Sequence, residues 1–420
     1  MKSFASLPRL AVALILSLAA ITTAHAQTFS VLHSFGGTAT DGTTPYSNLV
    51  LDEEGNLYGT TEYGVAAPEG VGTIFEIDSS GNETVLHAFI GPDGDGARPY
   101  GPIVRMGGSL YGTTMEGSTN RTCTIHGGCG TIFRLTRGKL TILHSFTSSE
   151  GGGPAGVTKD SSGNLFGATT YGGIGTPTAA CGSQGCGTIF EYSQGHESVL
   201  YSFLGQPDGN IPNGELLVDG AGNIYGTTES GGTFNHGTVF ELSPGSGGTW
   251  TETALYSFRG ESDGTEPLGG VILDAKGNLY GTTQLGGLRI DCNGTRRKNG
   301  CGVVYKLARN TDGTWSERVL HRFEGSAAND GYLPMGSLVR DQHGNLYGTT
   351  IWAGTQGYGG IFEIDLNGDE KLLHILSGDK TEGMWPNARL TMDAAGNIYG
   401  TATYGGADSV FGGTVFKITP

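Results

Sequence analysis

Apolar and polar positions alternate along this chain in short bursts separated by Gly, Asn, Asp and Ser. Between residues 47 and 90, "SNLVLDEEG" is an apolar strand running into a turn, "NLYGTTEYG" a second strand, "GTIFEIDSSG" a third and "NETVLHAF" a fourth. Short β-branched and aromatic runs bounded by turn formers are the signature of strands and hairpins, and a 3.6-residue helical period is almost absent. One such unit predicts a four-stranded antiparallel sheet.

The unit recurs. Aligned on the aromatic of the second strand, its copies fall at Tyr58, Tyr111, Phe166, Tyr225, Tyr280, Tyr347 and Tyr399, at intervals of 53, 55, 59, 55, 67 and 52 residues. A lone sheet cannot cover both its faces, whereas seven packed radially cover one another. The third-strand aromatics Phe75, Phe133, Phe190, Phe240, Tyr305, Phe362 and Phe416 are expected to fill the spaces between sheets. The predicted fold is all-β, a seven-bladed β-propeller of four-stranded antiparallel blades. At the chain ends, "FSVLHSF" at 29–35 reads as a fourth strand with no unit before it, and the last unit stops at "GTVFKITP" after its third. An N-terminal strand that completes the last blade closes the ring and removes an exposed edge.

The first turn of six units carries Asp followed three residues later by Gly-Asn, at Asp52, Asp160, Asp219, Asp274, Asp341 and Asp393. Asp at the first position and Gly at the fourth suit a type I turn, so these acids are read as turn-makers. The second unit departs, with Arg105-Met106-Gly107-Gly108-Ser109, where Gly108 is expected to keep the turn.

These residues carry a resemblance. "LHSF", "DGTTPYSNLVLDEEGNLYGTTEYG" and "GTIFEI", repeated over residues 29–418, resemble the bacterial extracellular tandem-repeat proteins called GloVer repeats, described as choice-of-anchor proteins. The resemblance implies export and a repeat architecture, and supplies no catalytic residues. Relatives that carry a C-terminal sorting segment differ from this chain, which stops at Pro420 just after a strand, so release, or retention only by a partner, is the expectation.

Composition fits that setting. Residues 1–26 have Lys2 and Arg9, an apolar run from Leu10 to Ala20, and Ala24-His25-Ala26, the layout of a secretory signal peptide. Residues 27–420 then form the propeller, with no later segment apolar enough to span a bilayer. Removing the leader takes two cations and no acid, moving the net charge from −16 to −18. Such a chain does not suit nucleic acid or anionic membranes, whose capture needs clustered cations. The expected partner is a polysaccharide or an extracellular protein, met by a monomer without cofactors. The six cysteines form three close pairs, Cys123/Cys129, Cys181/Cys186 and Cys292/Cys301, read as local disulfides worth about 2 kcal/mol each. Zinc is the weaker alternative, because the spacings vary and the pairs belong to different blades.

In a meander the first and third turns share one end, and the long loops share the other with a repeated link, [Asp/Glu]-Gly-x-x-Pro. Its acids are Asp41, Asp95, Glu150, Asp208, Asp263, Asp330 and Glu382. Seven carboxylates suit a cation such as calcium, but recurrence in every blade favours capping of each link's own turn, with Pro fixing entry to the inner strand. His33, His87, His144, His321 and His374 share a fourth-strand position with Tyr201 and Tyr256. Tyr seldom replaces a ligating or proton-carrying His, so this ring is read as structural, and no metal site is expected.

Function is sought instead where blades differ, at the loop-side end of the second strand. Glu62 and Glu229 share one position there with Gln284, and Tyr63, Glu116, Tyr171, Trp352 and Tyr404 share the next. Aromatic faces with polar tips suit sugar rings or a partner's apolar groups. Arg296, Arg297 and Lys298 form a basic loop that suits an anionic ligand. No nucleophile elbow, zinc-protease helix, P-loop or dinucleotide fingerprint is present. The expectation is a secreted, non-enzymatic binding or scaffold propeller. The alternative is a polysaccharide hydrolase or lyase at the loop-side mouth of the channel, using acids such as Glu62, Glu116 and Glu229, the Arg121/His126 loop or the basic loop.

Overall fold

The computed structural model describes residues 27–420 apart from 38–40, 65–70, 118–122, 124–126, 174–180, 182–183, 289, 291, 293–298, 326–329, 356, 380 and 408–410. The expected leader at 1–26, the basic triplet Arg296, Arg297 and Lys298, and Arg121 and His126 all lie outside the described residues. Among those described, a 3₁₀ turn at Ser246–Gly248 accompanies strands alone.

The strands form seven antiparallel sheets, one per sequence unit, each ordered from an inner first strand to an outer fourth. The seventh is completed by the chain's beginning: Thr28–Ser34 pairs antiparallel along Thr414–Thr419 as its outer strand. The seven-bladed β-propeller and its closure by the N-terminal strand are therefore as expected. The inner strand is shorter than the sequence suggests. In blade one it is split into Thr43–Pro45 and Val50–Leu51, both paired to Leu57–Tyr63, and the residues between face the central axis.

The Asp turns explain their own sequence. Asp274 accepts the backbone N–H of Lys276 and Asn278 on one oxygen, and the Asn278 amide and Tyr280 hydroxyl on the other, at 2.8–3.0 Å. Burial works against its ionisation, but these donors outweigh it and hold the carboxyl down at about 2. In blade two, Met106 pairs with Ser109 across a two-residue turn in which Gly107 has a φ of 54° as well as Gly108 at 76°. Both glycines, not Gly108 alone, are needed, as a primed hairpin requires.

Blades pack through the aromatics the pattern singled out. Phe146 of blade two meets Phe190 of blade three with ring centroids 5.0 Å apart, and the same contact recurs at Phe35–Phe75, Phe203–Phe240, Phe258–Tyr305 and Phe323–Phe362. These rings are fully buried or nearly so, and each blade's apolar face exists only against its neighbour's.

Candidate functional site

The link and the end of the second strand lie side by side at the loop end of every blade. Thr43 pairs with Tyr63, Ala97 with Glu116, Gly152 with Tyr171, Asn210 with Ser230, Thr265 with Leu285, Tyr332 with Trp352 and Met384 with Tyr404. The next link residue, just before the proline, is left-handed in all seven blades: Thr44, Arg98, Gly153, Ile211, Glu266, Leu333 and Trp385, with φ from 56° to 61°. For β-branched Thr44 and Ile211 this is a true outlier, held by its surroundings. What holds it is a hydrogen bond to the preceding blade: the N–H of Arg98 donates to Val71 O at 2.9 Å, that of Leu333 to Cys301 O at 2.9 Å and that of Trp385 to Tyr358 O at 2.9 Å.

This kink carries three positions per blade to the loop-side rim: the pre-proline residue and the last two of the second strand. They vary between blades while the residues around them repeat. Tyr63, Tyr171, Trp352, Tyr404, Glu62, Glu116 and Glu229 all stand there, as the alignment suggests. Arg98, Glu266 and Trp385 were missed, as was Tyr332 one residue before the kink of its blade, because each reads as an unremarked x of the link; their variation between two fixed residues was the available signal.

The rim has three chemically different stretches. Across blades six and seven runs a file of rings. Tyr332 stacks beside Trp352 at 6.3 Å, Trp352 meets Trp385 edge-on at 5.0 Å, and Trp385 meets Tyr404 at 5.2 Å. Phe411, 57% exposed, extends it at 6.5 Å.

Over blades one and two an ionic cluster follows. The guanidinium of Arg98 donates from Nε to Glu62 Oε1 at 2.8 Å and from Nη1 to Glu116 Oε1 at 2.9 Å, with a further contact from Nη2 to Glu62. It also lies 5.7 Å from the centre of the Tyr63 ring. Burial disfavours the Arg98 charge, but the two glutamates outweigh it and hold the group protonated. Glu62 and Glu116 thus share one cation. Tyr171 lies beyond this cluster, with burial and then Glu116 pushing its hydroxyl pKa up.

Between blades four and five the rim is acidic. Burial raises the pKa of Glu229, and Glu266 raises it further; burial likewise raises Glu266 against the pull of His236. Glu229 therefore belongs to a different stretch from Glu62 and Glu116. A cleft of about 380 Å³ lined by His236, Glu261, Thr265, Glu266, Leu285 and Asn299 adjoins this pair.

The central channel is narrow. Tyr46 and Tyr100 stack at 4.1 Å and Arg389 Nη1 bridges both Glu215 carboxylate oxygens at 3.0 and 3.1 Å, around a cavity of about 90 Å³. At the opposite end, a cleft of about 670 Å³ between blades six and seven is lined by the Asp341 and Asp393 turns, whose carboxylates already hold their own turns.

All three cysteine pairs are disulfides, Cys123–Cys129, Cys181–Cys186 and Cys292–Cys301. Cys129, Cys186 and Cys301 occupy one structural position, and their carbonyls accept the N–H of the left-handed residue in the next blade, Gly153, Ile211 or Leu333. The disulfides thus brace the rim. They suit an oxidising extracellular or periplasmic setting, and no helix among the described residues is long and apolar enough to cross a membrane.

The rings read separately as histidines and link acids are one set of pairs. His33 meets Asp41, His87 Asp95, His144 Glu150, His321 Asp330 and His374 Glu382, while Tyr201 and Tyr256 donate to Asp208 and Asp263. The acids also cap their links, as expected; Asp95 accepts the Ile90 N–H at 2.8 Å. The histidines do not converge on one another, yet a bulge before each turns it toward the link.

Comparison with curated protein sequences returns no match. Among solved structures, a candidate gluconolactonase aligns at 14% identity, over 69% of this chain and 82% of its own, with a TM-score of 0.40. A protein of unknown function from Dyadobacter fermentans aligns at 11% identity, over 94% of this chain and 99% of its own, with a TM-score of 0.47. The family model of the Gloeobacter/Verrucomicrobia repeat matches residues 18–176, 174–295 and 292–420. Seven copies of one blade, all carrying the link and the Asp turn or its variant, together with that match along nearly the whole sequence, mean that this chain belongs to the Gloeobacter/Verrucomicrobia repeat family.

Proposed function

We propose that the protein is an exported binding propeller that takes an extracellular polysaccharide along its loop-side rim, on the ring file from Trp352 through Trp385 to Tyr404, with Tyr63 at the equivalent position of blade one. The observation that carries this reading is the file itself: rings from neighbouring blades at 5.0–5.2 Å, at positions where other blades have Ile211, Gly153 or Ser230. Part-exposed aromatic faces suit the apolar faces of sugars. Beside them Arg98, Glu62 and Glu116 offer oriented donors and acceptors for hydroxyl groups.

A second reading, a polysaccharide hydrolase or lyase, is favoured by one observation. Glu229 and Glu266 are neighbouring carboxyls whose pKa values are both raised by burial, the condition for a general acid. The Glu62/Glu116 pair is less suited, since the Arg98 guanidinium already engages an oxygen of each.

Electrophoresis of the mature protein through native gels cast with different polysaccharides separates the two. Retardation without clearing, lost in Trp352→Ala, Trp385→Ala and Tyr404→Ala, is the expected result. A cleared zone that disappears in Glu229→Gln or Glu266→Gln overturns the binding reading; no retardation on any gel overturns the polysaccharide and leaves a protein partner.

A further inference from the structure

Each interface between blades brings a fourth-strand His or Tyr of one blade to the link acid that follows it. In five of the seven, a glutamate from the next blade's fourth strand also enters this pocket: Glu83, Glu197, Glu252, Glu317 and Glu370. Two interfaces bring three ligand atoms within 4.8 Å of one another: His33, Asp41 and Glu83 between blades seven and one, and His144, Glu150 and Glu197 between blades two and three.

An unpartnered glutamate oxygen is shared with Glu317 and Glu370 at other interfaces, so what sets the two clusters apart is the convergence of three ligand atoms. The Glu197 side chain is 4% exposed, and its Oε1 makes no hydrogen bond. Its other oxygen lies 4.0 Å from His144 Nε2, which is itself 3.1 Å from Glu150 Oε2. Glu83 Oε1 is likewise buried without a partner beside Asp41 and His33. A buried carboxylate oxygen left unmatched is costly, and a bound cation would satisfy it.

We propose that these two interfaces each bind a divalent first-row transition ion through one imidazole nitrogen and two carboxylates. Metal–ligand bonds of about 2.0–2.2 Å set neighbouring ligand atoms about 3–4 Å apart, and His144 Nε2 lies 3.1 Å from Glu150 and 4.0 Å from Glu197, with all three ligand atoms within 4.8 Å of one another. An imidazole with two carboxylates selects zinc, cobalt or manganese over calcium, which takes six to eight oxygens. The first site has a consequence for closure. His33 lies on the N-terminal strand Thr28–Ser34 and Glu83 on the outer strand of blade one, so the ion ties the ring's closing strand to the neighbouring blade.

The protein supplies its own control. At the position of His33 and His144, blades three and four use Tyr201 and Tyr256, which keep the hydrogen bond to the link acid. His33→Tyr and His144→Tyr therefore remove the nitrogen ligand while retaining a ring that the fold already accepts. The mature protein, dialysed against a chelator and titrated with Co²⁺, is expected to take up two equivalents at micromolar concentration with visible d–d absorption. Each Tyr variant should lose one equivalent and the double variant both, with the circular dichroism of the metal-free forms unchanged; Glu197→Gln should remove the same equivalent as His144→Tyr. Absence of cobalt uptake by the unsubstituted protein, or two equivalents retained by the double variant, would overturn the proposal.

Discussion

The left-handed residue before each link proline is where a single side chain acquires a role that its neighbours lack. Arg98 is the clearest case, because one planar fork serves two carboxylates from adjacent blades. Lysine offers a point charge that cannot reach both with the same geometry. Arg98→Lys should therefore lower unfolding free energy by about 1–3 kcal/mol, mostly through Glu62, which is 6% exposed and would lose partners; a denaturant titration with an unchanged midpoint would contradict this. Glu252 makes a prediction of the opposite sign in pH. Burial first, then Asp208, pushes its pKa up to about 7 from 4.5, so the folded state keeps a proton that the unfolded chain releases. Its contribution is full below pH 4.5 and is lost as pH rises toward 7. Thermal midpoints measured from pH 4.5 to 8 should fall in the unsubstituted protein and fall less steeply in Glu252→Gln. Asp274 acts at the other limit: with its pKa at about 2, its stabilisation is lost as pH drops below the ordinary 3.8.

Among the elements, the joint between blades is more specific than aromatic packing alone. Gly130 opens the third strand of blade two with a φ of +94°, and a Cβ there would overlap the Thr114 carbonyl and the Pro154 ring of the next blade's link. The same glycine-against-proline contact recurs at Gly187 with Pro212 and at Gly302 with Pro334. Gly130→Ala is expected to cost more than the usual glycine substitution, at least about 1–3 kcal/mol, because strain and overlap coincide. Equilibrium unfolding followed by near-ultraviolet circular dichroism measures it; a loss below half a kcal/mol, of the order seen at ordinary surface positions, would show that blade joints yield. The closing strand is a second test. Deleting residues 27–36 removes the partner of Thr414–Thr419 and bares the edge beside Phe416. Destabilisation of the whole domain is expected, seen as a lowered and broadened transition; an unchanged midpoint would mean that the ring does not depend on closure.

At the scale of the whole molecule, repetition and variation divide the labour. The Asp turns, the link acids, the prolines and the interblade rings recur because each blade must present the same surfaces to its neighbours. The rim departs from repetition in three stretches, a ring file, an ion cluster and an acidic pair, and the polysaccharide reading rests on the first. The three disulfides support this shape from behind, since each fixes the carbonyl that holds a left-handed link residue. Replacing Cys123 and Cys129 together with serine should leave the fold intact and lower stability by about 2 kcal/mol, as a short closed loop implies; collapse of the far-ultraviolet spectrum would assign that disulfide a larger role.

The number of blades, their strand order, the closure by Thr28–Ser34, the turn role of Asp52 and its equivalents and the three disulfides were all legible in the sequence. They follow from local alternation, turn chemistry and pairing within single units, and a repeat states them seven times. The positions of Tyr63, Glu62, Glu116, Trp352 and Tyr404 at the loop end were legible for the same reason. Three things were decided by the tertiary structure alone. The left-handed kink before each proline depends on a carbonyl from the preceding blade, so Arg98 and Trp385 gave no local sign of reaching the rim. The meeting of His144 with Glu150 and Glu197 needs a bulge, a link and a neighbouring blade, which no spacing along the chain expresses. The separation of Glu229 from Glu62 and Glu116 is a matter of angular position around the ring, and alignment of repeats superposes what the closed circle sets apart.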